Sequence, residues 1–439
     1  MINATERLPE ELHPPLEREA ALLEADRCLE CGGPYAAAPC TVACPADVDV
    51  AHFVGAIADD DVAAAAETIF AENLLGATCA RVCPTEVLCE GACVLVDVGR
   101  LPIRIGALQR YATDRALADG AEIRSAALWN GRRVAVIGAG PAGLVCAGEL
   151  AALGYGVTIF DERDEVGGLV RYAIAPYRQV CEPLPDEAAA LAKIGVEFRL
   201  GTHIGAEQLA AIAAEADAVF LGLGMGPDTA VAYPGDELPG VWESLPFIEA
   251  LKTGAPPSVG RHVVVVGGGN TAIDVAREAL RLGATAVTLV YRRSEAEMPA
   301  YTHEVDEARA EGVRFRFLAD PVRFLGSGRL EAVECRRMAL GEPDASGRRR
   351  PEPIPDSSFR LSADTAVKAI GQQSRRELGD WIRGLALDDS GLVQIDPATG
   401  QTSNPKFFAG GDLINGGSSV VEAVRGAKRA ARAIDEWLR

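Results

Sequence analysis

The stretch Arg133-Val-Ala-Val-Ile-Gly-Ala-Gly-Pro-Ala-Gly143 decides the fold of this chain. Its first five residues form a short apolar run typical of a buried strand, and the glycines that follow open a segment of helical composition, Leu144 to Leu153. A second apolar run, Val157 to Asp161, completes a strand–helix–strand unit. This order predicts a parallel sheet flanked by helices, and therefore an α/β fold.

The glycines of this stretch are spaced as in a dinucleotide-binding turn. Gly138 permits a tight turn, Gly140 lets backbone N–H groups approach a pyrophosphate, and Gly143 allows the helix to pack closely on the strand. The N-terminus of the helix would face the anion, and an acid at the end of the next strand would accept hydrogen bonds from a ribose. The predicted residues of this first dinucleotide site are Gly138, Gly140, Pro141, Ala142, Gly143, Asp161, Glu162, Gly168 and Leu169.

The same order of elements repeats from residue 262. His262 to Val266 reads as a strand, Thr271 to Leu282 as a helix, and Ala286 to Tyr291 as a strand. The turn between the first two has alanine at the third glycine position, which the packing role tolerates. Two units of one kind imply two dinucleotide-binding domains. The predicted residues of the second site are Gly267, Gly269, Asn270, Thr271, Ala272, Arg292 and Arg293.

Two arginines follow the second strand of this unit, where an acid is expected. The guanidinium groups of Arg292 and Arg293 would suit a 2′-phosphate, whereas a carboxylate would repel it. The pair therefore favours NADP over NAD. The alternative is a solvated basic pair in a loop, with NAD as the ligand.

Residues 1 to about 125 form a first unit of another kind. Ala21–Arg27, Val50–Asn73 and Leu108–Ala118 have helical composition, and the segment contains no strand pattern. Eight of the eleven cysteines lie between Cys28 and Cys93. In a reducing compartment such a group indicates metal ligation rather than disulfides.

These cysteines fall into two sets with short spacings. The sets are Cys28-x2-Cys31-x8-Cys40-x3-Cys44-Pro45 and Cys79-x3-Cys83-Pro84-x4-Cys89-x3-Cys93. Zinc also takes four cysteines and is the main alternative. The Cys-Pro steps are typical of ferredoxin runs, in which the cysteine before proline binds the other cluster. If one of the dinucleotide sites holds a flavin, that flavin also needs a one-electron outlet, which zinc cannot supply, so the pattern favours iron–sulfur clusters.

The bulk composition excludes some partners. The chain has 439 residues, enough for two or three domains, and a formal charge of −20, which argues against nucleic acid and an anionic membrane surface. Met1 to Glu24 lacks the apolar segment of a signal peptide, and no apolar run approaches the length that spans a bilayer. We therefore expect a cytoplasmic protein without a nucleic-acid or membrane partner.

Longer stretches of the chain resemble one protein family. They are Cys28-Leu-Glu-Cys31, Asn73 to Cys89, Ile103-Arg-Ile-Gly-Ala-Leu-Gln109, Gly267 to Asp274, Tyr291-Arg-Arg293 and Ala409-Gly-Gly-Asp412. Together they resemble the flavoprotein subunit shared by NADPH-dependent glutamate synthase, as its small or beta subunit, and the NAD(P)H-oxidising half of dihydropyrimidine dehydrogenase. The resemblance spans nearly the whole chain.

The resemblance implies a helical iron–sulfur domain followed by two Rossmann-like domains. The expected boundaries are 1–125 for a helical two-cluster domain, 126–256 with 370–439 for an FAD-binding domain, and 257–369 for an inserted NAD(P)-binding domain. The first dinucleotide site would hold FAD, and a helix N-terminus near the flavin would stabilise its reduced charge. Further FAD-binding residues implied by the resemblance are Arg178, Gly411, Asp412, Ser419, Val420 and Val421.

The resemblance also implies two 4Fe-4S clusters with crosswise ligation. One cluster would take Cys28, Cys31, Cys40 and Cys93, and the other Cys44, Cys83, Cys89 and Gln109. Cys79 is then left over as a buried thiol. The alternative for Gln109 is an ordinary helix glutamine.

Two segments depart from the family pattern. The loop Gly33 to Ala38 makes the first cysteine set four residues longer than is usual, which would reshape the surface near that cluster. Ile174-Ala-Pro-Tyr-Arg178 stands where the family has Ile-Pro-x-Phe-Arg, so flavin contacts there are open. The fold is also similar to disulfide oxidoreductases, but no cysteine pair follows the first glycine turn at a usable spacing.

The function implied is that of an NAD(P)H:acceptor oxidoreductase subunit. Hydride would pass between NAD(P)H and FAD, and single electrons would pass through the clusters, in either direction, without an acid–base side chain. The partner would be a redox subunit of iron–sulfur, FMN or tungsten/molybdenum type in a hetero-oligomer. The rival hypothesis is a structural or electron-relay subunit without turnover.

Overall fold

The computed structural model describes residues 14–33, 35–180, 182–344 and 347–439. The described chain divides into two compact units. The smaller unit contains residues 172–177 and 226–373, and the larger unit contains the remaining described residues. In the described part of the chain, no helix is long and apolar enough to cross a membrane.

The N-terminal part of the larger unit is helical. Its helices are α1 (Arg18–Ala25), α2 (Pro39–Val42), α3 (Val50–Ala58), α4 (Val62–Glu72), α5 (Gly76–Val82), α6 (Val94–Asp97) and α7 (Ile105–Ala118). The loops between them carry most of the cysteines, and the fully buried side chains of Phe53, Ile57, Ile69 and Leu108 form part of their common core.

The helical stretch predicted over Val50–Asn73 is interrupted by a run of three aspartates. Asp60 has a φ of +61°, in the left-handed region that a helix cannot contain. The carboxylate of Asp61 accepts a hydrogen bond from the backbone N–H of Ala64 at 2.9 Å and so caps the start of α4. Capping therefore overrides the helical composition at this point.

The larger unit also contains a parallel five-stranded sheet of order β14-β4-β1-β2-β3. Its strands are β1 (Arg133–Ile137), β2 (Gly156–Phe160), β3 (Glu197–Arg199), β4 (Ala218–Leu221) and β14 (Phe407–Ala409). The accompanying helices are α8 (Pro141–Ala152), α9 (Leu169–Tyr172), α10 (Leu184–Lys193), α11 (Ala206–Glu215), α15 (Leu378–Trp381), α16 (Asp412–Asn415) and α17 (Val420–Leu438). All four residues of β4 are buried, as expected for a central parallel strand covered on both faces.

The smaller unit contains a second parallel sheet, of order β5-β13-β6-β7-β8. Its strands are β5 (Val241–Glu243), β6 (His262–Val266), β7 (Ala286–Tyr291), β8 (Arg314–Phe317) and β13 (Thr365–Lys368), with helices α12 (Ser244–Lys252), α13 (Asn270–Arg281) and α14 (Thr302–Ala310). Strand β5 precedes the predicted boundary at residue 257, yet it pairs with β13 in this sheet. The compact unit accordingly starts at Gly226, earlier than the expected NAD(P)-binding domain.

An antiparallel sheet completes the smaller unit. It consists of β9 (Ala319–Leu325), β10 (Ala332–Pro343), β11 (Arg349–Pro353) and β12 (Phe359–Ser362). Strands β10 and β11 pair as an antiparallel hairpin. The predicted α/β class is confirmed: a helical N-terminal part is followed by two parallel sheets of nucleotide-binding type.

Candidate cofactor sites

The first glycine turn joins β1 to α8 and leaves no room for side chains at two positions. Gly138 has a φ of +107°, and a Cβ there would lie 2.5 Å from the carbonyl oxygen of Gly222. A Cβ on Gly143 would lie 1.8 Å from the carbonyl oxygen of Gly138. Both glycines are therefore needed for the turn itself and for the close packing of α8 on β1.

Gly140 differs from these two glycines because the protein leaves space beside it. Its φ of −77° suits any residue, and the nearest atom to an added Cβ would be the Cα of Gly168 at 3.9 Å. The N–H of Gly167 donates to the carbonyl of Ala139 at 2.8 Å, which holds the second glycine loop against the turn. Leu169 then begins α9. The open side of the turn at Gly140 is of the kind that a phosphate group fills.

The acid predicted at the end of β2 lies beside the same turn. Asp161 accepts hydrogen bonds from the backbone N–H groups of Ala139 at 2.6 Å and Arg163 at 2.8 Å. The neighbouring Glu162 is exposed and lies 3.5 Å from the Nδ1 atom of His203. The structure therefore brings Asp161, and not Glu162, to the glycine turn.

A C-terminal glycine approaches the first turn of α8. Gly411 has a φ of +69°, and a Cβ there would lie 3.0 Å from the Cβ of Ala142. The next residue, Asp412, accepts a hydrogen bond from the N–H of Ser418 at 3.0 Å, and burial raises the pKa of its carboxyl group. The chain segments around residues 142 and 411 are therefore adjacent, although they are far apart in sequence.

Helix α17 begins directly after this loop and packs against α8. Its first residues are Val420 and Val421, and the hydroxyl of Ser419 accepts from the N–H of Glu422 at 3.4 Å as an N-cap. Helix N-termini carry partial positive charge and unpaired N–H groups. The first turn of α17 is therefore suited to an electron-rich ring system.

One buried polar side chain of the larger unit is not marked by any sequence motif. Gln179 is 2% exposed, and within the described residues neither amide atom of its side chain has a hydrogen-bond partner. A buried, unpaired amide is costly unless another group binds it. Gln179 follows the half-buried Arg178, and nothing in the local sequence pattern marks it. The open turn, the acid and the helix N-terminus together fit a dinucleotide such as FAD.

The second glycine turn, between β6 and α13, repeats the geometry of the first. Gly267 has a φ of +147°, and a Cβ there would lie 2.1 Å from the carbonyl oxygen of Ala369. Gly269 has a φ of −90° and no described atom within 4 Å of an added Cβ. Thr271 is exposed and Ala272 is buried in the first turn of the helix. This turn therefore also leaves an open side at a helix N-terminus.

Asn270 has a structural contact that its motif does not predict. Its side-chain oxygen accepts a hydrogen bond from the backbone N–H of Tyr301 at 3.0 Å. This bond fastens the segment before α14 to the start of α13. A ligand contact of Asn270 would therefore use its amide nitrogen.

The structure places the two arginines of the second site in different surroundings. Arg292 is exposed at the end of β7. Arg293 is 6% exposed; its Nη2 donates to Asp344 at 2.6 Å and its Nε donates to the carbonyl of Arg349 at 2.8 Å. Arg293 thus holds the β10–β11 hairpin, which leaves Arg292 as the better placed of the two for a phosphate.

The four cysteines of the first predicted cluster line one apolar pocket. They are Cys28, Cys31, Cys40 and Cys93, and the side chains of Val54 and Leu95 are among the other residues of the lining. Burial raises the pKa of the Cys28 thiol, and it raises the pKa of Cys40 to about 11. Because metal binding requires thiolates, ligation here would displace protons from these thiols.

The cysteines of the second predicted cluster, Cys44, Cys83 and Cys89, are partly buried. Burial raises the pKa of Cys44 and of Cys89, and the Cys44 thiol lies close enough to Cys89 to raise its pKa further. The pKa of Cys83 is well above its usual value because of a hydrogen bond with the Cys79 thiol and because of burial. Cys79 is 1% exposed and is therefore buried, as expected, but it lies beside this set.

Gln109 lies on α7, near the start of α5. Its Nε2 donates to the carbonyl of Gly76 at 2.7 Å, so the contact uses the amide nitrogen and not the oxygen that a metal would bind. In the described residues, no three Cys, His, Asp or Glu side chains converge closely enough to hold a single metal ion.

Two family models match the sequence. Residues 5–121 match the family described as dihydropyrimidine dehydrogenase domain II, 4Fe-4S cluster. Residues 132–427 match the pyridine nucleotide-disulphide oxidoreductase family. The chain therefore contains an iron–sulfur domain and an oxidoreductase domain, in the order that the cysteines and glycine turns predict.

Relatives and solved structures agree with this reading. The glutamate synthase [NADPH] small chain of Halomonas elongata is 38% identical over 98% of this chain and 93% of its own length. The NADP(+)-dependent formate dehydrogenase subunit beta of Moorella thermoacetica is 37% identical over 92% of this chain and 60% of its own. Mycobacterium tuberculosis FprA in complex with NADPH has a TM-score of 0.59 and 21% identity, over 70% of this chain and 84% of its own, and shows the fold alone.

These matches confirm the family resemblance and the enzyme class predicted from the motifs. Several of the relatives are named as small or beta subunits, which implies a partner subunit. The chain belongs to the pyridine nucleotide-disulphide oxidoreductase family, among the iron–sulfur oxidoreductase subunits that include the glutamate synthase small chains.

Proposed function

We propose that this chain is the NAD(P)H-oxidising subunit of a redox complex, holding FAD, NADP and two 4Fe-4S clusters. When bound, FAD exchanges a hydride with NADP(H), and the clusters carry electrons one at a time. The observation that supports this most directly is the pair of glycine turns, each with an open side, in one chain with two groups of partly buried thiols.

The residues of the larger unit would bind and orient FAD. The turn at Gly140 would receive the pyrophosphate, and Asp161 would accept hydrogen bonds from the ribose. Gly411 and Asp412 would approach the cofactor from the C-terminal segment, and the first turn of α17 would stabilise negative charge on the ring. The unpaired amide of Gln179 would bind a polar group of the cofactor.

The smaller unit would hold NADP through the turn Gly267 to Ala272. Gly269 would face the pyrophosphate, as Gly140 does in the first site. Arg292 would bind the 2′-phosphate, and Arg293 would support it by fixing the hairpin at Asp344. NADP is favoured over NAD on this arrangement because an exposed guanidinium is a strong phosphate partner.

The cysteine domain would hold one cluster on Cys28, Cys31, Cys40 and Cys93. The other would bind Cys44, Cys83 and Cys89, with Gln109 as fourth ligand. The contact between the thiols of Cys79 and Cys83 makes Cys79 the rival for that fourth position.

A pair of variants separates these two candidates. We expect Cys79→Ser to keep about eight iron atoms per chain, and Gln109→Leu to lose about half of them, because a 4Fe-4S cluster needs its fourth ligand. Iron and acid-labile sulfide analysis, with the electron paramagnetic resonance (EPR) spectrum of the dithionite-reduced protein, measures both. Loss of iron from Cys79→Ser, with Gln109→Leu intact, would assign the ligand to Cys79.

The partner would be a redox subunit carrying an iron–sulfur, FMN or tungsten/molybdenum centre. The name of the Moorella thermoacetica relative, a beta subunit of an NADP(+)-dependent formate dehydrogenase, supports a partner subunit in a redox complex. The complex would then be a hetero-oligomer, with the final substrate bound by the partner.

Reduction of a viologen dye tests the proposal. Chain reconstituted with FAD and iron–sulfur is expected to reduce the dye with NADPH, and with NADH far more slowly. Apoprotein reconstituted with FAD alone, without iron, is the control for direct reduction by the flavin. No dye reduction in fully loaded protein would favour a structural subunit without turnover, and a strong NADH preference would reverse the assignment of NADP.

A further inference from the structure

A lysine of the FAD-binding part reaches into the cysteine domain. Lys428 lies on α17, is 5% exposed, and donates to the carbonyl oxygen of Ala46 at 2.7 Å and to the carboxylate of Glu72 at 2.6 Å. These three residues belong to the same compact unit. A buried ammonium is costly to desolvate, and here two oxygen atoms of the cysteine domain offset that cost.

Both acceptors of Lys428 lie in chain segments next to proposed ligands of the second cluster, which are Cys44, Cys83 and Cys89. Ala46 is two residues after Cys44, and Glu72 ends α4 just before the segment that leads to Cys79 and Cys83. The lysine therefore binds the segment just after Cys44 and the end of α4, a helix that precedes Cys83. Its hydrogen-bond acceptors, Ala46 and Glu72, are not ligands themselves.

A second buried group holds the same region. Glu187, on α10, is fully buried; it accepts from the N–H groups of Ala77 at 2.8 Å and Thr78 at 3.1 Å, and from the Thr78 hydroxyl at 2.5 Å. These donors are in the first turn of α5, which carries Cys79. Lys428 and Glu187, both from the FAD-binding part, thus bind the chain segments around Cys44 and Cys79.

Helix α17 links the lysine to the flavin end of the proposed FAD site. Lys428 is eight residues after Val420, so it lies about 12 Å further along the helix axis. A helix of this length is stiff, and its N-terminus is the part proposed to face the ring. Lys428 would therefore hold the loop that carries Cys44 at a set distance from a ring bound at that N-terminus.

Stability alone does not account for a lysine at this position. Apolar groups of similar volume often replace a buried ion pair with little loss of stability. Apolar packing also joins the FAD-binding part to the cysteine domain elsewhere, where a Cβ on Gly148 of α8 would lie 2.6 Å from the side chain of Leu74. The lysine adds two directional hydrogen bonds, and these restrict where the loop that carries Cys44 can lie.

We propose that Lys428 is a positioning residue for electron transfer between the FAD site and the proposed cluster on Cys44, Cys83 and Cys89. The inference rests on the proposed function. Electron transfer slows steeply with distance, so a loosened loop should slow the passage of electrons without affecting the hydride step.

The test compares Lys428→Met with Arg432→Met in the full chain, loaded with FAD and iron. Arg432 is one turn further along α17 and exposed, so its variant removes a cation from the same helix without touching the cysteine domain. NADPH is mixed rapidly with each protein. Flavin bleaching reports the hydride step, and freeze-quenched EPR reports arrival of electrons at the clusters.

We expect flavin bleaching in Lys428→Met to stay within about twofold of wild type, and cluster reduction to slow about tenfold, because small misplacements of reacting groups are costly. Hydrogen exchange of the amides at 44–48 should also rise. Arg432→Met should match wild type in all three measurements, and Lys428→Arg should recover part of the lost rate.

Glu72→Gln replaces Lys428→Met as the test variant if the latter fails to fold or to bind iron. Glu72 is 40% exposed and its replacement removes only the ion pair, so we expect a smaller slowing of cluster reduction. Unchanged cluster reduction and unchanged amide exchange in the loaded variants would overturn the inference. Absence of flavin bleaching in the wild type would instead contradict the proposed function.

Discussion

Replacing Gly140 by alanine is expected to abolish retention of FAD while leaving the FAD-free chain as stable as the wild type. The φ of −77° is allowed for alanine, and the added Cβ would meet nothing closer than 3.9 Å. The protein therefore has room for the methyl group, and only a pyrophosphate close to the turn would collide with it. Thermal unfolding of apoprotein and FAD titration measure the two parts of the prediction.

Gly143→Ala is the matched contrast in the same turn. Its Cβ would lie 1.8 Å from the carbonyl oxygen of Gly138, so strand β1 and helix α8 must separate even when no ligand is bound. We expect the FAD-free chain to unfold at a lower temperature in this variant. If Gly140→Ala binds FAD as tightly as the wild type, the pyrophosphate does not lie at this turn.

The dinucleotide turns were predictable because their chemistry is local. A tight turn, a close backbone approach and a helix–strand contact each restrict one residue within a short stretch, as Gly138, Gly140 and Gly143 show. The cysteine sets are readable for the same reason, since several ligands come from neighbouring positions of one loop. Such patterns require no knowledge of the rest of the fold.

The anchors and the arginine environments depend on residues that are distant in sequence. Lys428 meets Ala46 across 382 positions, and Glu187 meets Ala77 across 110. Neither residue belongs to a motif, and each reads as an ordinary charged helix residue. The same limit applies to strand β5, whose three residues join the second sheet only through the late strand β13.

Arg292→Ala is expected to remove the preference for NADPH. Loss of a charge-assisted contact to the 2′-phosphate should lower kcat/KM for NADPH about 100-fold and leave that for NADH nearly unchanged. Steady-state dye reduction with each nucleotide measures the ratio. Arg293 provides the control, because its side chain is buried whereas that of Arg292 is exposed.

Arg293→Ala should behave differently although it removes the same charge from the next position. Its guanidinium is buried against Asp344 and the carbonyl of Arg349, so removing it leaves a carboxylate without that partner and weakens the attachment of the β10–β11 hairpin. We expect lower thermal stability and similar losses with NADPH and NADH. A selective loss of NADPH turnover in Arg293→Ala, with Arg292→Ala unchanged, would move the phosphate contact to the buried arginine. It would also require the hairpin to release that side chain when the nucleotide binds.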